Sequence, residues 1–342
     1  MDAVRLIEPG PLTTIQDRGR KGYQRFGMPV AGAMDLFSYR IANLLVGNDE
    51  GAAAIEFTLQ GPKMEFLQDA VIAITGAETV PFLDNKPLPM WQSIFVRKGS
   101  IISFQGIKSG LRGYVAIGGG INVPQVLGSR STYLRAKIGG FEGRKLAAGD
   151  IIKTGKSGKG FPDFKNRRLP KGFIPDFKEY EEIRVILGPQ AELFKKESIE
   201  KFLSSAYEVT AQSDRMGYRL KGPIIKHKDG ADIISDGIPP GAIQVPGHGQ
   251  PIIMLADRQT TGGYAKIATV ISTDLNKLAQ LTPGSKIRFK AVTLEEAYNA
   301  LRAQENTIGK IEEFAINPGL TKVYKLRISG REFIASVEEI HE

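Results

Sequence analysis

The sequence predicts a mainly β protein with few helices, built as two β-rich domains and a short tail. Three observations carry that prediction. Apolar runs of strand length recur along the chain, bounded by turn residues, with 39 glycines and 19 prolines spread through 342 positions. Segments with helical periodicity are few and short. A basic, Gly- and Pro-rich stretch in mid-chain separates two halves of the same character. With 42% hydrophobic and 24% charged residues, there is enough apolar surface to offset the entropy of ordering, which excludes extended disorder.

Before the basic stretch, residues 71–75, 101–104 and 114–117 read as strands between Gly and Pro. One strong helix interrupts them. Asp35 stands at its N-cap, Phe37, Ile41, Leu44 and Leu45 follow at helical spacing, and Gly47 supplies a left-handed residue after the last turn. After the basic stretch, residues 183–187, 252–256, 266–271 and 287–289 repeat the strand pattern. Helices are predicted over 191–203, over 274–281 up to Pro283-Gly284, and from the capping box Thr293-x-x-Glu296. Residues 323–328 and 333–337 alternate around Ser329-Gly330 and predict a hairpin. The expected division is a first β domain at 1–152, a linker at 153–182, a second β domain at 183–292, and a C-terminal helix and hairpin at 293–342.

Lys and Arg number 46 against 37 Asp and Glu, a net charge of +9. Seven of the basic residues (Lys153, Lys156, Lys159, Lys165, Arg167, Arg168 and Lys171) crowd one segment against Asp163 alone. Broken by Gly155, Gly158, Gly160, Pro162 and Pro170, that run is expected to be a solvated linker. Only Phe161 and Phe164 are there to stack on bases, so nucleic acid is not an expected partner. No apolar run approaches the roughly 18 residues of a membrane-spanning helix. Asp2 and Glu8 stand where a secretory signal needs basic and then apolar residues, so a cytoplasmic protein is expected. The lack of cysteine removes disulfides, thiolate nucleophiles and Cys-ligated metal sites.

Three Asp-Arg pairs precede Gly-Tyr turns: Asp17-Arg18 before Gly22-Tyr23, Asp214-Arg215 before Gly217-Tyr218, and Asp257-Arg258 before Gly262-Gly263-Tyr264. Such a pair either fixes its own loop by an ion pair or presents a rigid guanidinium fork to a small anion, with the Asp orienting it. Gly155-Lys156-Ser157 imitates the end of a phosphate-binding loop, but Asp150 stands where the first glycine belongs and no helix-forming segment follows. Gly118-Gly119-Gly120 lacks dinucleotide-binding spacing and reads as a tight turn or a close backbone approach. His227, His248 and His341 have no ligand-like spacing, so no His-based metal site is expected. His248, in the turn-forming loop 244–251, is the candidate to carry protons near neutral pH. No G-x-S-x-G nucleophile motif occurs.

Four blocks then stand out in order. The first runs from Gln16-Asp17-Arg18-Gly19-Arg20 through Gly27-Met28-Pro29 and Gly32-Ala33-Met34-Asp35 to Ala42-Asn43-Leu44-Leu45-Val46-Gly47-Asn48. The second joins Gly118-Gly119-Gly120-Ile121 to Gly128-Ser129-Arg130-Ser131-Thr132-Tyr133, Gly139-Gly140 and Gly143-Arg144. The third is Ser213-Asp214-Arg215-Met216-Gly217-Tyr218-Arg219-Leu220 with Gly241-Ala242-Ile243-Gln244-Val245-Pro246, and the fourth is Ala256-Asp257-Arg258-Gln259-Thr260-Thr261-Gly262-Gly263-Tyr264. Together they resemble the allophanate hydrolase subunit 2 family, also called KipA or the 5-oxoprolinase C-subunit family and often labelled biotin-dependent carboxyltransferase. The resemblance runs from about residue 6 to about residue 290.

The resemblance implies two cyclophilin-like β-barrel domains and a partner, a B-type subunit of the KipI or allophanate hydrolase subunit 1 kind. It offers three activities: an ATP-dependent 5-oxoprolinase that also needs an A-type, lactam-utilisation subunit, a carboxyltransferase acting on urea, and a KipA-type regulator. No Met-Lys-Met biotin acceptor occurs here, so biotin enters only if another chain carries it. The reading favoured is the 5-oxoprolinase subunit, inactive alone, with ATP used by the complex and neither its binding chain nor a metal requirement assigned. On that reading Arg258 and Arg215 contact the anion, Asp257 and Asp214 orient them, and Lys266 or His248 handles protons. Gln244, Gln259, Thr260, Gly262, Gly263 and Tyr264 frame a small amide, and Arg130, Ser131 and Thr132 serve substrate or the B-type partner.

Overall fold

The computed structural model describes residues 1–156, 167–316, 321–328 and 331–338. Within the basic run, Ser157, Gly158, Lys159, Gly160, Phe161, Pro162, Asp163, Phe164, Lys165 and Asn166 lie outside the described residues, as do Ser329-Gly330 and His341.

Two nine-residue strands, Ala70–Glu78 and Ser109–Ile117, form the middle of the first half. Their residues alternate between two cores. Ile72, Ile74, Val115 and Ile117 enter one, while Val71, Ala73, Tyr114 and Ala116 enter the other. Both faces are covered, which is why these strands read as unbroken apolar runs. They belong to a five-stranded sheet ordered Leu12–Gln16, Ala54–Thr58, Ser109–Ile117, Ala70–Glu78, Ser93–Val96. One face shares its core with a six-stranded sheet, ordered Ile151–Lys153, Asp2–Glu8, Lys63–Phe66, Ile101–Phe104, Pro81–Leu83, Lys86–Pro87, through Val4, Leu6, Met64, Phe66 and Ile102. The other face is covered by helix α1 (Leu36–Leu45), which buries Tyr39, Ile41, Leu44 and Leu45 there. Asp35 caps α1 as expected, its Oδ1 accepting the Ser38 N–H at 3.0 Å, and Gly47 takes a left-handed φ of 69°. The close backbone approach expected at the glycine run is found: a Cβ on Gly119 would lie 2.5 Å from the Gly155 carbonyl oxygen.

The second half closes into a seven-stranded barrel, ordered Tyr180–Leu187, Lys266–Val270, Ala242–Gln244, Ile252–Met254, Gly217–Lys221, Ala206–Val209, Lys286–Ala291. Parallel pairing of the first and last strands, with Tyr180 opposite Lys286, completes the ring. Ile183, Val185, Tyr218, Ile253, Ile267 and Phe289 fill it. The mainly β class with few helices is therefore what folds, with a closed ring in the second half and two sheets around a shared core in the first.

Helices in the second half are shorter than their patterns predict. Residues 191–203 divide into a 3-10 turn, Ala191–Leu193, and helix α2 (Lys196–Ser204). The break lets Phe194, 1% exposed, bury its ring against that of His227, with centroids 4.6 Å apart and planes tilted by 38°. Residues 274–281 yield only helix α3 (Leu275–Leu278), because the chain then tightens, with the Gln280 N–H on the Lys277 carbonyl at 3.0 Å and the Leu281 N–H on that of Leu278 at 3.1 Å. The Ala279 carbonyl, to which Pro283 cannot donate, accepts from the Arg112 guanidinium at 2.5 Å. Helix α4 (Leu294–Ile316) starts at the expected capping box: Glu296 accepts the Thr293 N–H at 2.7 Å and Thr293 Oγ1 accepts the Glu296 N–H at 3.2 Å. It returns to the first half, where Ile308 and Ile311 join the α1 core and Arg40 grips Glu305 with two bonds of 2.6 and 2.7 Å. The predicted hairpin forms from Thr321–Ile328 and Arg331–Glu338. Among the described residues no helix is long and apolar enough to cross a membrane.

The solvated reading of the basic run fails at Arg167. Its side chain is 3% exposed and donates to the Leu44 carbonyl at 3.4 Å, while its own carbonyl accepts the Ser93 N–H at 2.9 Å. Leu169 is buried in the α1 core. Charge count alone does not reveal that this stretch pairs with residues 91–93.

Candidate functional site

The three Asp-Arg pairs are used in three different ways. Asp17 draws a loop inward, accepting from the Gly19 N–H at 2.8 Å, the Arg130 N–H at 2.5 Å, Ser129 Oγ at 2.7 Å and Ser131 Oγ at 2.5 Å, while Arg18 pairs with Glu50. Asp214 Oδ1 accepts the Met216 and Gly217 N–H groups at 2.8 and 3.2 Å and so fixes its own turn. Arg215 turns away from it. Its Nε and Nη2 bind Asp257 at 3.0 and 3.1 Å, Nη1 binds Glu56, and Nη2 also reaches the Gly32 carbonyl at 2.6 Å. The expected orienting pairs are therefore crossed: Asp257 holds Arg215, Asp214 holds neither arginine, and Arg258 has no carboxylate partner among the described residues. Asp257 and Arg258 sit in a turn after strand Ile252–Met254, closed by the Arg258 N–H on the Leu255 carbonyl at 3.2 Å, and their side chains find different partners there.

Electrostatics follow this geometry. Burial alone would lower Arg215, but Asp257 and Glu56 reverse that and hold it above the ordinary arginine value. Burial pushes the Asp257 carboxyl up against the opposing pull of Arg215. Arg258, 2% exposed, donates from Nε to the Ile238 carbonyl at 2.8 Å and from Nη1 to the Leu255 carbonyl at 3.2 Å. Without a counter-charge, burial pushes it down to about 10, and it stays charged at neutral pH.

Arg215 is the hub of a buried seam between the halves. Glu56 Oε2 also accepts the Met34 N–H and the Tyr114 hydroxyl, both at 2.8 Å. Beside it, Gln280 Oε1 accepts the Leu111 and Arg112 N–H groups at 2.9 and 3.0 Å, and its Nε2 donates to Asp35 at 2.7 Å and to the Arg112 carbonyl at 3.0 Å. Arg112 Nη1 in turn meets the Tyr218 hydroxyl at 2.7 Å. Sequence reading missed Glu56, Arg112 and Gln280. The one available signal is a lone acid inside the apolar run 52–57.

Next to this seam lies a cleft of about 440 Å³ in which the two halves meet. Arg135, the middle residue of the 3-10 turn Leu134–Ala136, lines it from the first half. Of the expected site residues, Asp214, Gln244, His248, Gln259 and Tyr264 line it from the second, together with Arg219. Gln244 is 3% exposed, and its Nε2 donates to the Tyr264 carbonyl at 3.3 Å. His248 is exposed, and its Nδ1 accepts the Gln250 N–H at 3.1 Å, which leaves the proton of the neutral ring on Nε2. Gly262 adjoins the cleft from strand Thr261–Tyr264. A Cβ there would lie 2.9 Å from Gln244 Nε2 and 3.2 Å from Gln259 Nε2, so two carboxamides converge over this glycine.

Other expected residues are not brought to the cleft wall. Arg130, Ser131 and Thr132 face inward: Arg130 Nε donates to the Val123 carbonyl at 2.9 Å, and Thr132 Oγ1 to that of Ile15 at 2.9 Å. Lys266, fully buried, binds Asp236 at 2.9 Å and so fastens strand Asp232–Gly237, which pairs with the strand carrying Gly262 and Gly263. Arg215, Asp257 and Arg258 lie behind, and Thr260 donates no side-chain bond into the cleft. Among the described residues no three His, Cys, Asp or Glu side chains converge as a metal site.

Over residues 26–291 the chain matches the carboxyltransferase domain, subdomain A and B. It belongs to that family. This carboxyltransferase-family chain is 39% identical to the 5-oxoprolinase C subunit of Escherichia coli, over 88% of its own length and 95% of the relative's. It is 41% identical to the 5-oxoprolinase C subunit of Haemophilus influenzae, over 90% and 97%. Among solved structures, the urea carboxylase of Kluyveromyces lactis superposes with a TM-score of 0.86 at 35% identity, covering 92% of this chain and 29% of that one.

Proposed function

We propose that the chain is the C subunit of an ATP-dependent 5-oxoprolinase, a complex that opens the lactam of 5-oxoproline to L-glutamate together with a lactam-utilisation-type A subunit and a KipI-type B subunit. The observation that carries this reading is the match to 5-oxoprolinase C subunits along nearly the full length of both chains. The cleft supports it with groups suited to a small polar amide. In the net reaction water adds across the lactam C–N bond, hydroxyl to carbon and hydrogen to nitrogen. Gln244 orients the amide, and His248, through Nε2–H, is the group assigned to give or take a proton.

The sequence holds no complete phosphate-binding loop, and the N-termini of α1 and α4 are occupied by the carboxylates of Asp35 and Glu296, so no step through ATP is assigned to this chain. The likeness to urea carboxylase favours one second reading, a carboxyltransferase component acting on urea with biotin carried on another chain. Co-expression with the neighbouring genes and an assay for ATP-dependent glutamate release from 5-oxoproline tests the choice. Release by the complex and none by the purified chain is expected. Robust turnover by the chain alone, or urea-dependent chemistry in its place, overturns the reading.

A further inference from the structure

The cleft sets one buried, half-used carboxamide near two guanidinium groups that have no carboxylate. Gln244 is 3% exposed, and its only side-chain hydrogen bond among the described residues runs from Nε2 to the Tyr264 carbonyl. Because a backbone carbonyl takes that N–H, the side-chain orientation is set, and Oε1 accepts nothing among the described residues. A second N–H remains on Nε2. A primary carboxamide that offers C=O and N–H side by side pairs with both edges of another amide only if that amide also holds them on one side. Open-chain secondary amides hold them on opposite sides. A small lactam ring forces them together, and urea presents the same edge.

At the same cleft, Arg135 and Arg219 form no ion pair among the described residues. Asp214 also lines the cleft, with Oδ1 engaged by two backbone N–H groups, so an anionic substituent is repelled from that side and drawn toward the arginines. A guanidinium grips a carboxylate with two parallel hydrogen bonds, a fit that a neutral amide lacks. We propose that Arg135 and Arg219 select a cis amide that carries a carboxylate over a neutral one, while Gln244 pairs with the amide edge. Gly262 keeps that pairing possible, since a Cβ would press on Gln244 Nε2 at 2.9 Å and on Ile238 Cδ1 at 2.7 Å.

The inference rests on the 5-oxoprolinase reading and assigns its specificity to named residues. The test uses the reconstituted complex with 5-oxoproline as substrate and 2-pyrrolidinone, the same ring without the carboxylate, as competitor. Arg135→Gln with Arg219→Gln is expected to raise the KM for 5-oxoproline about tenfold or more, with kcat and melting temperature nearly unchanged and the competitor's inhibition constant unaltered. Gly262→Ala weakens both ligands together. An unchanged KM in the double arginine variant, or equal losses for both lactams, overturns the assignment while leaving the 5-oxoprolinase reading intact. If the wild-type complex does not hydrolyse 5-oxoproline, that reading fails, and calorimetric titration of the same two lactams decides the inference. Selective loss of 5-oxoproline binding in the arginine variant supports it, and no binding by the wild type overturns it.

Discussion

Gln280 and Gln244 are both 3% exposed, yet they live in opposite environments. Gln280, in the seam, uses both lone pairs of its oxygen and both hydrogens of its nitrogen on protein partners. Gln244, in the cleft, uses one hydrogen and leaves its carbonyl empty. The arginines repeat the contrast: Arg215 has two carboxylates and Arg258 has none. Buried polar groups are ordinarily satisfied, so Gln280 and Arg215 behave as structure, whereas Gln244 offers the cleft a carbonyl that no described residue uses. Residue type does not distinguish the two glutamines; completeness of pairing does.

The largest effect that sharpens this contrast belongs to the seam. Glu56→Ala strips Arg215 of one of its two counter-charges and leaves the Met34 N–H and the Tyr114 O–H without an acceptor, although the Tyr114 oxygen still accepts the Asp35 N–H at 2.8 Å. Breaking a buried pair from one side costs about 3–5 kcal/mol. Denaturant unfolding of this variant is expected to show that loss, with lactam affinity nearly unchanged in the fraction that stays folded. Wild-type stability would mean that the seam does not hold the halves together.

Next comes Arg258. If its uncompensated charge acts on a ligand, Arg258→Lys keeps the charge but loses the fork, and the complex should slow by about 30- to 1000-fold, or roughly 2–4 kcal/mol of transition-state stabilisation. Its melting temperature should stay close to that of the wild type, because the two carbonyls it meets, those of Ile238 and Leu255, still face a cation. A variant that turns over normally, or one that loses stability in proportion to rate, would move Arg258 to the seam side of the comparison.

What the sequence made legible follows the same division. Strands and caps announce themselves over a few residues: apolar runs at 71–75 and 114–117, Asp35 before α1, Thr293 and Glu296 around the start of α4. The cleft was legible in part because Asp214, His248 and Gln259 sit in loops, and Gln244 and Tyr264 at the last positions of their strands, beside glycines and where chain and ligand meet. The seam was not. Glu56 and Arg215 are 159 positions apart, and nothing local to either residue encodes the other. For the same reason Asp257 was assigned to its sequence neighbour Arg258, and Arg167 to solvent: a charged side chain's partner is a property of the assembled fold.

The smallest effect concerns α4, which returns from the second half to cover the first. Its two anchors differ in kind, since Ile308 and Ile311 are at most 3% exposed, whereas the Glu305 side chain that pairs with Arg40 is 46% exposed. The Arg40 hydrogen bonds hold the Glu305 carboxyl below its ordinary value of 4.5. A carboxylate depressed in the folded state contributes stability that is present above the ordinary value and lost as pH falls through the lowered one. Solvent screening limits that contribution to about 0.2–1 kcal/mol. Glu305→Ala is therefore expected to speed amide exchange slightly in α4 at neutral pH, with the difference from wild type fading as the pH falls below 4.5. A global fall in melting temperature instead would place this exposed pair with the seam, and degree of burial would no longer separate the charges that build the protein from those left at its edge.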